Sequence, residues 1–225
     1  VVCKNGGSAL LRDCPLLARV AAAVVRAAAP VPVTAKIRIG WDQRTINATE
    51  TARVLEDCGI RRLAVHGRTK EQGYTGLADW DVIGAVAQAV RIPVIGNGDI
   101  ACGADAVKRR SETGVAGLMI GRAAMAHPWI FSEIRAALAG EPEPRPPALR
   151  ERWELIRDHC AKEILWRGDA LTAMKSMRAR LMAYTRGLPD SARLREGITR
   201  VTSLSELEDL ASAHLARHED GALVR

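Results

Sequence analysis

Four short apolar runs recur along the first half of the chain, and helical periodicity fills the stretches between them. The runs are VTAKIRIG (33–40), RRLAVHG (61–67), IPVIGNGD (92–99) and AGLMIG (116–121). Continuous apolar runs that alternate with helices are typical of a parallel sheet covered by helices. The sequence therefore predicts an α/β fold of βα units, either a doubly wound sheet or a (β/α)8 barrel.

Polar residues and glycines cluster where each run ends. They are Lys36 and Arg38, His66 and Arg68, Asn97 and Asp99, then Gly121 and Arg122. The carboxyl ends of parallel strands lie at one edge of the sheet, and ligands bind at that edge in both architectures. No GxGxxG motif opens a helix, which disfavours a nicotinamide-binding Rossmann half.

Glycines in the last two runs would let an anion approach the backbone. The amides of Gly98 and Gly121, with the helix expected after Arg122, form a candidate phosphate cradle that the Arg122 guanidinium would reinforce. In barrels, the loops after the last two strands commonly hold phosphate. The same glycines could instead serve only as turn or C-cap residues, so both interpretations stay open.

Three side chains at this edge have several possible roles. Lys36 could face an anionic ring, form a Schiff base or pair with a carboxylate. His66 could donate a hydrogen bond to a ligand or act as an acid or base, although a lone strand histidine is commonly structural. Asp99 could orient Lys36, His66 or a sugar hydroxyl, or it could cap a turn.

The composition changes at the proline-rich segment GEPEPRPPAL. We interpret residues 140–148 as a stiff linker between an α/β domain at 1–139 and a small all-α domain at 149–225. Beyond the linker the strand pattern disappears, whereas residues 149–182 keep helical periodicity. In the first domain, the segment 46–59 predicts an amphipathic helix with Asn47 or Thr49 as its N-cap.

Charge and cysteine content narrow the functional classes. The 225 residues have a formal net charge of +7, from 33 Lys and Arg against 26 Asp and Glu. Seven of these cations lie between residues 173 and 202, which makes a polyanionic partner plausible, although solvated helices can be equally basic. The five cysteines include no CxxC pair, so we expect no disulfide framework and no metal site, and a cytoplasmic location. No run is long enough for a membrane span.

Several segments together resemble one known family, the bacterial tRNA-dihydrouridine synthases. They are GGSALLRD, VPVTAKIRIGWD, VHGRTKEQGYTGLADW, IPVIGNGDI, TGVAGLMIGRAAMAHPWIF and MAYTRGLPDSARLREGITRVTSLSELEDL. The resemblance implies the C-terminal half of a (β/α)8 TIM barrel that binds FMN, followed by a helical tRNA-binding domain. It also implies reduction of uridine in tRNA to 5,6-dihydrouridine, with NADPH as the reductant and a cysteine as the proton donor.

The resemblance also assigns residues to roles. For FMN the implied contacts are Lys36, His66, Asn97, Gly98, Asp99, Gly121 and Arg122, the last five of them around the ribityl phosphate. For RNA they are Arg68 at the substrate face and, in the helical domain, Lys175, Arg178, Arg180, Tyr184 and Arg186. Family members often have an Arg-Lys-His run before the tyrosine. This chain departs from the family there, because its segment reads MRARLMAY.

The catalytic cysteine of the family lies in an NxGCP loop, which we expect upstream of Val1. Cys3 lacks the preceding Asn-x-Gly, and Cys14 precedes a proline at the start of a helix, so neither matches the motif. A barrel typically takes about 250 residues, so only its later half is expected here. We therefore expect a truncated product or a piece of a longer protein, with little stability of its own.

Two alternatives compete with a synthase that is impaired in this form. One is a catalytically silent fragment that binds tRNA through its helical domain. The other is a different phosphate-binding barrel enzyme, an aldolase or isomerase that uses Lys36 as a Schiff base. A basic helical tail argues against the second alternative, because a small phosphosugar needs no cationic domain. The oligomeric state, the tRNA position and the choice between NADPH and NADH stay undetermined.

Overall fold

The chain forms two compact units in a computed structural model that describes residues 6–219. The first unit runs to Gly121 and adds Ile130–Glu143, and the second combines Arg122–Trp129 with the residues from Pro144 onward. The break at residues 143 and 144 falls inside the predicted linker. The segment 122–129 was expected in the first domain, whereas its contacts group it with the second unit.

Four strands and ten α-helices follow a short 3-10 helix (Gly7–Arg12) in the described residues. In chain order they are α1 (Cys14–Ala28), β1 (Thr34–Arg38), α2 (Ala48–Asp57), β2 (Arg62–His66), α3 (Trp80–Ala89), β3 (Val94–Asn97), α4 (Gly103–Thr113), β4 (Gly117–Met119), α5 (Arg122–Ala126), α6 (Ile130–Ala139), α7 (Leu149–Arg167), α8 (Ala170–Tyr184), α9 (Ser191–Arg200) and α10 (Leu204–Glu219).

All neighbouring strands are parallel, and their order in the sheet is β1-β2-β3-β4. Each crossover therefore advances by one strand, as it does in a barrel, whereas the strand order of a doubly wound sheet reverses direction at its switch point. The prediction of parallel βα units followed by an all-α segment is confirmed.

The register separates the two faces of the sheet. Lys36 pairs with Ala64, and Ala64 with Ile95. Residues alternate between faces along a strand, so the intervening Ile37, Val65 and Gly96 belong to the opposite face. That face is packed by helices: a Cβ on Gly96 would lie 2.4 Å from Cζ3 of Trp80 in α3. The polar residues are thus left on the face that these helices do not cover.

Side-chain caps fix where two helices of the first unit begin. The Asp13 carboxylate accepts a 2.9 Å hydrogen bond from the Leu16 amide, and Asp79 accepts one of 3.0 Å from the Val82 amide. Asn47 occupies the N-cap position of α2, but its side chain makes no capping bond and donates instead to the Leu11 carbonyl at 2.7 Å. The predicted N-cap position of Asn47 is therefore confirmed, but its side chain caps nothing, because Nδ2 is directed to the Leu11 carbonyl and Oδ1 is buried without a hydrogen-bond partner.

The second unit has an apolar core with one polar bridge in it. The core side chains come from several helices and are Trp153, Ile156, Met174, Met177, Leu181, Leu194, Ile198 and Leu207. Within this core, Trp153 Nε1 donates to His214 Nδ1 at 3.0 Å, and His214 Nε2 lies 3.0 Å from the Pro189 carbonyl. Nδ1 must accept and Nε2 must donate, so the bridge requires a neutral imidazole.

This bridge predicts a pH-dependent stability of the helical unit. Burial, with smaller contributions from His218 and Arg217, lowers the pKa of His214, although its bond to Pro189 acts in the opposite direction. The unfolded chain then binds more protons at mildly acidic pH, so the free energy of unfolding should fall as the pH drops through about 6.5. Urea unfolding followed by tryptophan fluorescence, at about pH 7.5 and about pH 5.5, measures this change.

His214→Gln is the matched variant, because glutamine keeps a donor and an acceptor but does not titrate. We expect it to lower stability by about 1 to 3 kcal/mol near neutral pH, since the Trp153 and Pro189 groups lose well-placed partners. Its pH dependence should be weaker than that of the wild type. An equal slope in both proteins would contradict the assignment.

Candidate active site

The carboxyl edge of the sheet brings several predicted residues together on the uncovered face. Arg38 pairs in register with His66, His66 with Asn97, and Asn97 with Met119. The Asn97 side chain donates a 2.7 Å hydrogen bond to the Met119 carbonyl, so it ties the third strand to the fourth. Lys36 lies two residues before Arg38 and therefore on the same face.

A concavity of about 540 Å³ lies on this face. Its lining combines apolar strand residues, such as Ala64, Ile95 and Met119, with the ammonium-bearing side chain of Lys36. An apolar floor with a few placed polar groups is the usual composition of a site for a flat organic ligand.

Lys36 and Arg38 bring positive charge to this edge without a carboxylate partner among the described residues. Burial lowers the pKa of Lys36, and the neighbouring Arg38 lowers it further. The Arg38 guanidinium donates from Nη1 to the carbonyls of Thr69 and Gly73, at 2.7 and 3.0 Å. Of the three roles considered for Lys36, pairing with a carboxylate is therefore not seen in the described part of the chain.

His66 is buried and neutral at this edge. Burial lowers its pKa to about 4, and the positive charges of Arg38, Lys36 and Arg68 contribute, while Asp99 acts in the opposite direction. A neutral imidazole can donate one hydrogen bond and accept another. The positive charges of Lys36 and Arg38 beside this imidazole favour an anionic ligand.

Arg68 is anchored inside the edge by Asp99. Its side chain is 2% exposed, and Nη2 donates to Asp99 Oδ1 and Oδ2 at 2.8 and 2.7 Å. Further bonds go to the carbonyls of Thr75 and Gly76, while Nη1 is buried without a partner. The structure buries Arg68, and a guanidinium this deeply buried offers little area to a macromolecule, so nothing in the described residues supports the RNA contact, which stays a prediction.

Asp99 is held as firmly as its partner. Its Oδ2 also accepts a 2.7 Å hydrogen bond from the Ala78 amide, and its φ of 51° is in the left-handed region. This carboxylate faces a guanidinium and an amide, so its geometry suits a group that positions the loop, and a phosphate would be repelled by its charge. Asp99 thus positions Arg68 and the loop amide of Ala78, a partner that the sequence did not suggest, and the orienting roles considered for Lys36, His66 or a sugar hydroxyl stay predictions.

Gly98 is required by the backbone itself. Its φ is +140°, and a Cβ there would lie 2.4 Å from Cβ of Ala78. The Trp80 indole donates to its carbonyl at 3.1 Å. Gly121 is exposed with open space around it, and Arg122 is the first residue of α5 in the second unit. The turn role therefore accounts for Gly98, and the phosphate role of these residues stays a prediction.

The residues expected to bind RNA in the helical unit differ in exposure. Lys175, Arg180 and Arg186 are exposed, whereas Arg178 is half-buried. Tyr184 is only 6% exposed, and its hydroxyl lies 2.9 Å from His159 Nδ1. Tyr184 therefore joins α7 to α8, because its ring belongs to the core, while the three exposed cations are placed on the surface as a polyanion would require.

The described cysteines do not occupy the strand ends. They are Cys14, Cys58, Cys102 and Cys160, and Cys3 lies outside the described residues. Burial raises the pKa of Cys160 to about 11, so this side chain is a thiol at neutral pH. Within residues 6–219 no group of three or more His, Cys, Asp or Glu side chains is placed to hold a metal ion. None of the described helices has the length and apolar character needed to cross a membrane.

Comparison with known proteins identifies the family of this chain. Residues 1–219 match the family described as dihydrouridine synthase (Dus). The chain belongs to the dihydrouridine synthase family. Its relatives include tRNA-dihydrouridine synthase B of Pseudomonas putida, 48% identical over 75% of this chain and 50% of that protein.

Two further relatives of this dihydrouridine synthase chain match over more of its length. Identity is 44% with tRNA-dihydrouridine synthase B of Pseudomonas aeruginosa and 38% with a probable tRNA-dihydrouridine synthase of Rickettsia conorii. Each match covers 88% of this chain and 59% of the relative. The chain thus spans about half to three-fifths of the length of these relatives.

Sequence reasoning missed a group of residues beside this edge. Trp41 follows the end of β1, and two cations, Arg12 and Lys70, lie over its ring. The only local signal was the tryptophan directly after a strand-ending glycine in IGWD. The partners are 29 residues on either side of it in sequence, at positions 12 and 70, so no periodicity connects them.

The Arg68 and Asp99 pair predicts a large effect of removing either partner. Asp99→Asn leaves a buried guanidinium without its countercharge, so it should lower the free energy of unfolding by about 3 to 5 kcal/mol. Glu112→Gln is the control, because Glu112 pairs with Lys108 and Arg109 on an exposed helix and should cost less than about 1 kcal/mol. Urea unfolding measures both, and similar costs would contradict the role of the buried pair.

Proposed function

We propose that this chain forms part of a flavin-dependent reductase that converts uridine in tRNA to 5,6-dihydrouridine, with FMN as cofactor and NADPH as reductant. Membership of the dihydrouridine synthase family supports the reaction, and the names of the relatives, tRNA-dihydrouridine synthase B, support tRNA as the substrate. An RNA substrate and scattered cysteines favour the cytoplasm as the place of action.

The observation that supports this function best is the electrostatic character of the carboxyl edge. Lys36 and Arg38 have no carboxylate partner in the described chain, and the neutral His66 lies beside them. These charges would stabilise an anionic ligand over the apolar strand residues of the concavity. The residues present therefore fit a flavin, which has a flat ring system and a phosphate.

Each residue at the edge has a defined task in this proposal. The Lys36 ammonium would bind the electron-rich side of the flavin, and the neutral His66 would donate one hydrogen bond to the flavin or the target base. Asn97, Gly98 and Gly121 would offer amide groups to the ribityl phosphate, and Arg122 would add a cation. Asp99 would act through Arg68, as a positioning residue. When bound, FMN supplies the hydride that reduces the uracil ring.

The RNA would be held in part by the exposed cations of the helical unit, Lys175, Arg180 and Arg186, with Arg178 beside them. The family resemblance leaves the proton donor upstream of Val1, so this chain would depend on a preceding segment for complete turnover. A catalytically silent fragment that binds tRNA is the alternative, and it would share the helical surface but not the chemistry.

Titration with FMN tests the proposal. We expect flavin binding by a form extended upstream through the NxGCP loop, detected by the change in flavin absorbance and fluorescence. Lys36→Gln in that form should weaken FMN binding by about tenfold or more, because a charge-assisted contact is lost. Lys108→Gln, on the exposed side of α4, should bind as the wild type does.

Two further readouts separate the proposal from its alternative. The extended form should produce dihydrouridine in an unmodified tRNA transcript with NADPH, detected by nucleoside mass spectrometry. Extended protein that folds but binds no FMN would contradict the flavin site. Binding of tRNA without any dihydrouridine would favour the silent fragment.

A further inference from the structure

We propose that Arg12, Trp41 and Lys70 form a binding site for the phosphate backbone of RNA beside the active-site edge. We name these three residues the cationic stack. The inference rests on the proposed function, because the RNA it would bind is the substrate of that reaction. It adds a contact in the α/β unit to the contacts expected from the helical domain.

The stack is built around one aromatic ring. Arg12 Cζ lies 4.9 Å from the centroid of the Trp41 ring, and Lys70 Nζ lies 4.4 Å from it. Both distances are within the range of a cation–π interaction. Each cation is therefore attracted to the same ring, and this attraction offsets part of the repulsion between the two like charges.

Backbone hydrogen bonds fix the two loops that hold Trp41 and Lys70. The Lys70 amide donates to the Gly40 carbonyl, and the Glu71 amide donates to the Trp41 carbonyl, both at 3.0 Å. A Cβ on Gly40 would lie 2.5 Å from the Thr45 carbonyl oxygen, which requires glycine at that point. The loops after β1 and β2 are thus fastened to each other.

Arg12 is anchored through its neighbour in sequence. The Asn47 side chain, at the start of α2, donates a 2.7 Å hydrogen bond to the Leu11 carbonyl. This bond ties the end of the 3-10 helix to the loop that follows β1. All three members of the stack therefore lie on connected backbone, so little conformational entropy remains to be lost when a ligand binds.

The charges of the stack are not neutralised within the described chain. Neither Arg12 nor Lys70 forms an ion pair there, in contrast to exposed cations on helices, such as Lys162 with Asp158. The carboxylate next to the ring, Asp42, accepts hydrogen bonds from the amides of Arg44 and Thr45, at 2.8 and 2.9 Å. An external anion is thus the partner that the stack lacks.

RNA fits these features better than a small phosphate does. A polynucleotide presents phosphates at successive nucleotides, so it can meet two separated cations at once. Tyr74, in the loop after β2, is 64% exposed. The centroid of its ring lies 6.3 Å from that of the His66 ring and 6.0 Å from Cζ of Arg38. An exposed ring beside cations is the usual composition of a surface that stacks unpaired bases. The occupant is therefore a single-stranded segment next to the reacting uridine.

The test measures the affinity of the chain for an unmodified tRNA transcript at several KCl concentrations. Arg12→Gln/Lys70→Gln removes both charges, and Arg53→Gln/Arg61→Gln is the control with an equal change in charge. Arg53 and Arg61 are exposed in the same unit, and Arg61 directly precedes β2, at the amino edge of the sheet. Fluorescence anisotropy of labelled tRNA gives each affinity.

We expect the stack variant to bind about tenfold more weakly near physiological salt. Its plot of log affinity against log salt should be flatter by about 1.4, since each phosphate contact to a single strand contributes about 0.7. The control should keep a larger part of the affinity and slope. The charge-preserving Arg12→Lys/Lys70→Arg should bind as the wild type does, which would exclude misfolding as the cause.

A second measurement locates the contact directly. Crosslinking to tRNA that contains 5-iodouridine, followed by peptide mass spectrometry, should find Trp41 or Tyr74 among the crosslinked residues. The inference is overturned if the stack variant and its control lose equal affinity, or if the stack variant keeps wild-type binding. Neither result changes the outcome of the FMN titration, which tests the proposed function independently, so the proposed function would stand. A chain that binds no tRNA would also overturn the inference, and the extended form would then test the proposed function alone.

Discussion

The buried ion pair between Arg68 and Asp99 is the interaction on which the edge of the sheet depends. It joins the ends of two adjacent strands, and the guanidinium also binds carbonyls of the loop at residues 75 and 76. A charge buried to this degree needs an opposite charge and hydrogen-bond partners in direct contact with it. The pair therefore fixes the loop between β2 and α3, and that loop carries both Lys70 and Tyr74 to the surface beside the site.

The cations of the edge differ in how far they are neutralised. Arg68 is paired and buried, whereas Lys36 and Arg38 meet no described carboxylate, and they add to the effect of burial in lowering the pKa of His66. Arg12 and Lys70 share an aromatic ring further out. One unit of the structure thus combines a positioning arginine, cations suited to an anionic cofactor, and cations suited to a polyanion. The function proposed above would require all three, because it would bring a flavin and an RNA to the same place.

The helical unit is stabilised mainly by apolar packing rather than by a buried ion pair. Its core is largely apolar, and a bridge from Trp153 through His214 to the Pro189 carbonyl ties α7 and α10 to the segment before α9. Since Tyr184 is part of this interior, the RNA contacts proposed for this unit would fall to the exposed cations Lys175, Arg180 and Arg186. In the proposed function such a surface would supply affinity and salt dependence, and contacts specific for particular bases would come from groups nearer the reaction.

The sequence by itself determined the βα order, the edge at which Lys36, His66 and Asn97 meet, and the break in the proline-rich segment. Those features follow from periodicity and from the common direction of parallel strands, which are local properties. Only the tertiary structure decided that Arg68 and Tyr184 are buried, that Asn47 binds Leu11, that residues 122–129 join the helical unit, and that Arg12 and Lys70 share one ring. Each of these depends on contacts between residues distant in sequence, and side-chain type alone does not specify such contacts.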